Sequence, residues 1–138
     1  NASQENPQER IASLTGKDVS SPLQAGADYA LECIGNADVM MQAFASIHIG
    51  GKCLVMGMAP LGAMLNIAPF EFLLGKTITG STQGDIKPLV DVPRYVDLYM
   101  NGKLPLDKLI SKSYRLDQIN EAYGALERGE IIRGIVRF

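Results

Sequence analysis

The stretch Gly-Gly-Lys-Cys-Leu-Val-Met-Gly-Met-Ala-Pro, residues 50–60, decides the fold that the sequence predicts. Its glycine pair is expected to end a helix, and the run from Cys53 to Met58 is apolar except for Gly57. A short apolar run is typical of a strand buried on both faces in a parallel sheet under helices. A residue without a β-carbon near the end of that strand would let a flat ligand approach the backbone. A bulge or a tight helix contact explains Gly57 equally well.

A strand and a helix are predicted immediately before this central strand. Residues 27–34 form an apolar strand pattern that ends in a turn. A helix capped by Asp38 follows and is expected to end at the glycine pair. Its apolar residues recur at helical spacing: Val39, Met40, Ala43, Phe44 and Ile47. Strand, helix and strand together span about 30 residues, which is the length of a right-handed βαβ unit.

The alternation of strands and helices continues along the chain. Asn6 and Pro7 predict the start of a short helix, as cap and first helical residue. Later segments are predicted as a short helix at 69–74, a strand at 76–82, a helix at 91–100, a strand at 109–115, a helix capped by Asp117, and a closing strand at 131–138. This order predicts an α/β layered fold.

Composition places the chain among ordinary globular proteins. It has 138 residues, of which 46% are hydrophobic and 20% charged, and its net charge is −2. A chain of this length is long enough for one domain and could bury roughly two thirds of its unfolded surface. The scattered charges argue against nucleic acid as a partner. No apolar run approaches the roughly 20 residues that cross a bilayer, so a cytoplasmic location is expected.

The chemistry-bearing residues do not form a catalytic cluster in the sequence. Cys33 and Cys53 lie in separate apolar runs and are expected to be reduced, buried thiols. The single histidine, His48, is expected at the surface near a helix end. Glu32 lies inside a strand, where it is either a buried acid or, more commonly for a strand end, solvated or salt-bridged. No GxGxxG, P-loop, GxSxG or HExxH motif occurs, so no catalytic residue and no metal ligand are predicted.

Four segments in register nevertheless resemble one family. They are Leu-Glu-Cys-Ile-Gly-Asn at 31–36, the glycine pair leading to Val-Met-Gly-Met at 55–58, Lys-Thr-Ile-Thr-Gly-Ser at 76–81, and Gly-Glu-Ile-Ile-Arg-Gly at 129–134. Their order and spacing resemble the zinc-dependent alcohol dehydrogenases of the medium-chain dehydrogenase/reductase family. The resemblance implies the second half of a Rossmann-type parallel sheet with flanking helices.

The same resemblance implies a division of the chain. Residues 1–103 would complete the nucleotide-binding domain, and residues 104–138 would return to the catalytic domain. The phosphate-binding glycine turn, the acidic residue for the ribose and the zinc ligands all lie earlier in such proteins. Because residue 1 is Asn rather than Met, we expect the chain to be a piece of something longer.

The resemblance also implies contacts with NAD or NADP. The implied residues are Cys33, Ile34, Gly35, Met56, Gly57, Met58, Ser81, Gln83 and Arg133. The first three would line the adenine side, and the next three would lie beside the nicotinamide, with backbone groups near Met56 bonding its carboxamide. Ser81 and Gln83 would bond the carboxamide through backbone groups, although Gln83 departs from the apolar or aromatic residue expected there. Arg133 would reach the pyrophosphate, which suits a planar charged donor fork.

In the complete enzyme, the resemblance implies hydride transfer between an alcohol or aldehyde and the nicotinamide, with zinc polarising the alcohol oxygen. The chain alone would be inactive. The strand near 76–79 resembles one through which these enzymes continue the sheet into a partner subunit, so a homo-oligomer is expected.

Two other hypotheses stay open at this point. One is a free-standing, non-enzymatic half-Rossmann module for dimerisation or binding. Such a module should be soluble with its sheet edge covered, whereas a fragment should aggregate or pair with itself. The other is a different nucleotide-binding α/β protein such as a methyltransferase, which the missing early glycine motif disfavours.

Overall fold

The computed structural model describes residues 4–16 and 22–138. They fall into two compact units, one ending at Ile86 and the other running from Lys87 to Phe138. The division at residue 103 that the resemblance implies concerns the complete protein and stays a prediction.

The first unit is built on a three-stranded parallel sheet. Its elements are α1 (Pro7–Thr15), β1 (Ala27–Glu32), α2 (Ala37–Ala45), β2 (Ile47–Val55), α3 (Phe70–Leu73) and β3 (Thr77–Gly80). The strand order is β1-β2-β3, and both pairs are parallel. Parallel strands with flanking helices confirm the predicted α/β fold.

Asparagine side chains begin both longer helices of this unit. The Asn6 side chain accepts a hydrogen bond from the backbone of Gln8 at 3.0 Å, as the sequence predicted. The cap of α2 is Asn36, whose side chain accepts from the Asp38 and Val39 amides at 2.8 and 3.2 Å. The prediction of Asp38 as the cap was therefore wrong by two residues, because the asparagine oxygen reaches both free amides of the first turn.

The glycine pair lies inside β2 and does not end the helix, contrary to prediction. Helix α2 already ends at Ala45, and β2 begins at Ile47. Gly50 has a φ of +79°, a left-handed conformation that an ordinary residue rarely adopts. The pairing with β1 is irregular between Ala27 and Tyr29. The glycines thus allow a local distortion of the strand instead of a chain reversal.

The core of the first unit lies between α2 and the sheet. Phe44, Ile47 and Cys53 are its buried members. The other face of β1 is open in this chain, since Tyr29 is 68% and Leu31 62% exposed. In the run from Cys53 to Met58, which was predicted to be a strand buried on both faces, Cys53 is buried but Leu54 and Val55 are only partly buried, and the strand ends at Val55.

The second unit pairs two strands with two helices. Its elements are α4 (Pro88–Met100), β4 (Lys112–Arg115), α5 (Ile119–Glu127) and β5 (Gly134–Arg137). Strands β4 and β5 are parallel, and Tyr114 and Ala125 are buried. Helix α4 begins three residues before the predicted Asp91, with a proline at its first position. Asp117 was predicted to cap α5, but it lies in the 3-10 turn before that helix, and the cap residue is Gln118.

Among the described residues, no helix has both the length and the apolar character needed to cross a membrane. The cytoplasmic location stays a prediction.

Candidate functional site

The carboxyl ends of the three parallel strands form one edge of the sheet. Glu32 lies opposite Val55 on β2, and Val55 lies opposite Gly80 on β3. The residues that follow these three are the first outside the sheet. Because neighbouring strands are about 4.8 Å apart, the register gathers at this edge eight of the predicted contact residues: Cys33, Ile34, Gly35, Met56, Gly57, Met58, Ser81 and Gln83. Ligands of open α/β sheets bind at this kind of edge.

Apolar side chains are exposed at the edge. Ile34 is 73%, Met56 37% and Met58 91% exposed. Cys33 is exposed too, so the prediction that both cysteines are buried holds only for Cys53. Exposed apolar groups around turns of backbone are a surface that a flat ring can contact.

The turns that follow β1 and β2 interlock. Gly35 has a φ of +86°, and a β-carbon there would collide with the carbonyl of Met58. A β-carbon on Gly57 would collide with the backbone nitrogen of Gly35. The sequence left two explanations of Gly57 open, the approach of a ligand and a bulge or tight helix contact. The structure shows a tight contact, but with the turn after β1 instead of a helix. Gly57 as a ligand contact stays a prediction.

Backbone hydrogen bonds decide which groups of this edge can face a ligand. The amide of Ser81 donates to the carbonyl of Val55 at 3.0 Å, and the amide of Met56 donates to the carbonyl of Glu32 at 2.8 Å. Any ligand bond from the backbone of Ser81 or Met56 would therefore come from its carbonyl. A carbonyl accepts a hydrogen bond, which suits the NH₂ of a carboxamide.

The turn after β3 has an unusual backbone. Gln83 and Asp85 have φ values of 52° and 53°, and Gly84 between them has 73°. Left-handed conformations at two non-glycine residues cost free energy, and such strain is frequent at ligand-binding turns. The predicted contact Gln83 lies in this strained turn.

Glu32 is buried, with 2% of its surface exposed. Its Oε1 accepts hydrogen bonds from the amides of Ile34 and Gly35, each at 2.8 Å. Its Oε2 has no hydrogen-bond partner among the described residues. The common expectation of a solvated or salt-bridged carboxylate at a strand end was wrong here. Burial, together with the nearby Glu32 charge, raises the pKa of the Cys53 thiol.

His48 lies in β2, not at the end of a helix as predicted. Its Nε2 is 3.0 Å from Oδ1 of Asp28, and its Nδ1 hydrogen-bonds the carbonyl of Ile49. The hydrogen bond to Asp28 raises the pKa of His48 above its ordinary 6.5. The same bond lowers the pKa of Asp28 below its ordinary 3.8. The pair lies near the amino ends of β1 and β2, away from the candidate site.

Two further predictions concern metal ligands and Arg133. Across residues 4–16 and 22–138, no group of three or more His, Cys, Asp or Glu side chains could hold a metal ion. The described residues therefore do not fit a zinc site. Arg133 is exposed and belongs to the second unit. The sequence predicted that it lies within the closing strand, but β5 begins one residue later, at Gly134.

The fold and its edge of interlocked turns define a class, the nucleotide-binding α/β domains. Within that class, the chain belongs to the zinc-binding dehydrogenase family, which matches residues 1–100. The predicted resemblance to zinc-dependent alcohol dehydrogenases is thereby confirmed.

The relatives include class-3 alcohol dehydrogenase of Cereibacter sphaeroides, 40% identical over 114 residues that make up 82% of this chain and 30% of that protein. S-(hydroxymethyl)glutathione dehydrogenase of Paracoccus denitrificans is 36% identical over 97% of this chain and 36% of its own length. The chain thus spans about a third of the curated relatives it matches.

Solved structures show the same likeness. Benzyl alcohol dehydrogenase from Acinetobacter calcoaceticus superimposes with a TM-score of 0.84 and 31% identity, over all of this chain and 36% of that one. A zinc-binding dehydrogenase structure from Sinorhizobium meliloti 1021, solved bound to NADP, gives a TM-score of 0.69 and 28% identity over 88% of this chain and 33% of that one.

Proposed function

We propose that this chain supplies the nicotinamide side of the cofactor site in a longer, NAD- or NADP-dependent alcohol dehydrogenase. The observation that carries the proposal is the row of three strand ends in register, from which the predicted contact turns emerge at one edge. The family membership and the NADP-bound structural relative support the same reading.

The groups at the edge fit the nicotinamide half of such a cofactor. The side chain of Met58 offers apolar surface to the nicotinamide ring, and the carbonyls of Met56 and Ser81 would accept from the carboxamide. The bound nicotinamide supplies the hydride chemistry. The other implied contacts stay parts of the proposal: Cys33, Ile34 and Gly35 on the adenine side, Gln83 beside the carboxamide, and Arg133 on the pyrophosphate.

We propose that the chain alone is inactive, since the zinc that the family uses has no cluster of ligands among the described residues. The purified 138-residue chain should oxidise no primary alcohol with NAD⁺ or NADP⁺, with or without added zinc, and should bind NADH weakly or not at all. Zinc-dependent turnover by the pure chain would overturn this part of the proposal.

The second unit has surface that further chain would cover. An apolar groove of about 250 Å³ there is lined by residues of α5, of β5 and of the segment between them. Ile132 is 71% exposed. These features support the assignment of residues 104–138 to the catalytic domain of the complete enzyme.

The decisive first experiment is to sequence the DNA upstream of the Asn1 codon. The proposal predicts an open frame of about 200 further residues that contains zinc-ligand Cys and His and a GxGxxG after a strand. A start or processing signal directly before Asn1 would favour the free-standing dimerisation or binding module instead.

A matched pair of variants tests the site in the protein encoded by that complete frame. Met58 and Met64 are 91% and 86% exposed, and only Met58 belongs to the predicted contacts. Met58→Glu should weaken NADH binding about tenfold or more, because it places a charge against the ring that Met58 would contact. Met64→Glu should leave the dissociation constant within about threefold. Equal effects of the two substitutions would contradict the assignment.

We propose that two copies pair through β3, which is an outermost strand of the described sheet. Thr77 and Thr79 are exposed on it. Replacing both threonines with lysine should shift the protein toward monomer in light scattering, because like charges block edge-to-edge pairing. An unchanged mass would place the contact elsewhere.

A further inference from the structure

We propose that Glu32 is a positioning residue, which holds the turns after β1 and β2 in the arrangement that the ligand meets. The inference deepens the proposed function and rests on it for the nature of the ligand. The contacts that carry the inference are within the first unit and do not depend on the ligand.

Four backbone amides from two turns converge on this one residue. The side-chain Oε1 accepts from Ile34 and Gly35 on the turn after β1, both at 2.8 Å. The main-chain carbonyl accepts from Met56 at 2.8 Å and from Gly57 at 3.1 Å on the turn after β2. Hydrogen bonds from amides to a carboxylate are stronger than those between neutral groups. Glu32 therefore joins the two turns through its side chain and its backbone together.

The second carboxylate oxygen supports the turn after β2 by contact. A β-carbon built on Gly57 would lie 2.7 Å from Oε2 of Glu32. The carboxylate and the backbone of Gly35 thus together fill the space that a side chain on Gly57 would need. The distance between the two turns is set by this packing.

Burial of the carboxylate indicates that its role is at the edge and not in the strand. Taking a carboxylate out of water costs free energy, and Oε2 has no compensating partner among the described residues. An apolar residue would form β1 without that cost. What an apolar side chain lacks is an acceptor for the amides of Ile34 and Gly35, and these residues carry predicted ligand contacts.

The first test is amide hydrogen exchange of the 138-residue protein, measured by NMR. In Glu32→Ala, exchange at Ile34 and Gly35 should accelerate about tenfold or more relative to the core amide of Cys53, because both amides lose their acceptor. Glu32→Gln keeps a side-chain carbonyl of the same length and should hold protection within about threefold. Unchanged protection in Glu32→Ala would overturn the proposal.

Two further variants keep the test decisive. Glu127→Ala makes the same chemical change on the exposed surface of α5 and should leave the exchange of Ile34 and Gly35 unaltered. If Glu32→Ala does not fold, Glu32→Asp takes its place. It keeps the charge but shortens the side chain by one carbon, and it should lose the protection that Glu32→Gln retains. Wild-type protection in Glu32→Asp would overturn the proposal.

The link to the ligand is measured in the complete enzyme with NADH as the probe. Glu32→Ala should raise the dissociation constant about tenfold and Glu32→Gln less than about threefold, because pre-ordered turns bind at lower entropic cost. Unaltered NADH binding by Glu32→Ala would overturn the positioning role toward the cofactor. NADPH replaces NADH as the probe if the unmodified enzyme binds only NADPH. If the unmodified enzyme binds neither, the proposed function is wrong, and hydrogen exchange alone still decides whether Glu32 holds the turns.

Discussion

Strand β1 carries one acidic residue near each of its ends, Asp28 and Glu32, and the two carboxylates make different contacts. Asp28, near the amino end, has a side chain that is 84% exposed and meets the His48 ring across the pair. Glu32, at the carboxyl end, is 2% exposed and bonds backbone amides only. Water competes for the first contact and is excluded from the second. Burial and backbone partners, and not charge alone, therefore distinguish the two carboxylates.

Glycines of β2 and its following turn show the same contrast. Gly57 is closed in by Gly35 and Glu32, whereas a β-carbon on Gly50 would meet nothing within 4 Å. Gly50 requires only its left-handed φ of +79°. One glycine is needed for space and the other for backbone conformation.

Substitution of these two glycines should give the largest difference. Gly57→Ala should lower the free energy of unfolding by about 3 kcal/mol or more, because the backbone of a neighbouring turn has to move. Gly50→Ala should cost about 1–2 kcal/mol, the strain of a left-handed alanine. Urea denaturation of both variants measures the difference. Equal losses would show that the two turns are not interlocked.

Substitution of the two cysteines should give a stability difference of intermediate size. Cys53 is fully buried in the core, and Cys33 is exposed at the edge. Cys53→Ser should destabilise the protein by about 1–3 kcal/mol because it buries a hydroxyl. Cys33→Ser should change the stability by less than about 0.5 kcal/mol.

In the unmodified protein, an alkylating reagent should modify Cys33 first, since the pKa of Cys53 is raised by burial. Preferential labelling of Cys53 would contradict this placement of the core.

The smallest expected effect is the pH dependence of the His48–Asp28 pair. The raised pKa of His48 gives stability that is present in full below pH 6.5 and is lost as pH rises through the raised value. The lowered pKa of Asp28 gives stability that is present above pH 3.8 and is lost as pH falls through the lowered value. The pair therefore stabilises most between these limits.

Replacement of the histidine tests this window. The stability difference between the unmodified protein and His48→Gln should be larger at about pH 5.5 than at about pH 8.5. Asp28→Asn should remove the same difference. A difference that grows with rising pH would show that the histidine is not paired with Asp28 in the folded protein.

Local chemistry explains which elements could be predicted. The start of α1 followed from Asn6 and Pro7, and β3 followed from an alternating β-branched run, because both depend on residues a few positions apart. The end of α2 was mispredicted, since glycine is as compatible with an irregular strand as with a helix terminus. Here, pairing with β1 selected the strand.

The sequence by itself determined the order of strands and helices, the family and the set of turns that meet at one edge. Only the tertiary structure decided that Glu32 is buried, that Gly57 is closed in by Gly35, and that His48 meets Asp28. The physical reason is strand register. The pairing of β1 with β2 brings Oε2 of Glu32 to Gly57, Gly57 to Gly35, and His48 to Asp28. No pattern within a single segment encodes which groups that pairing places in contact.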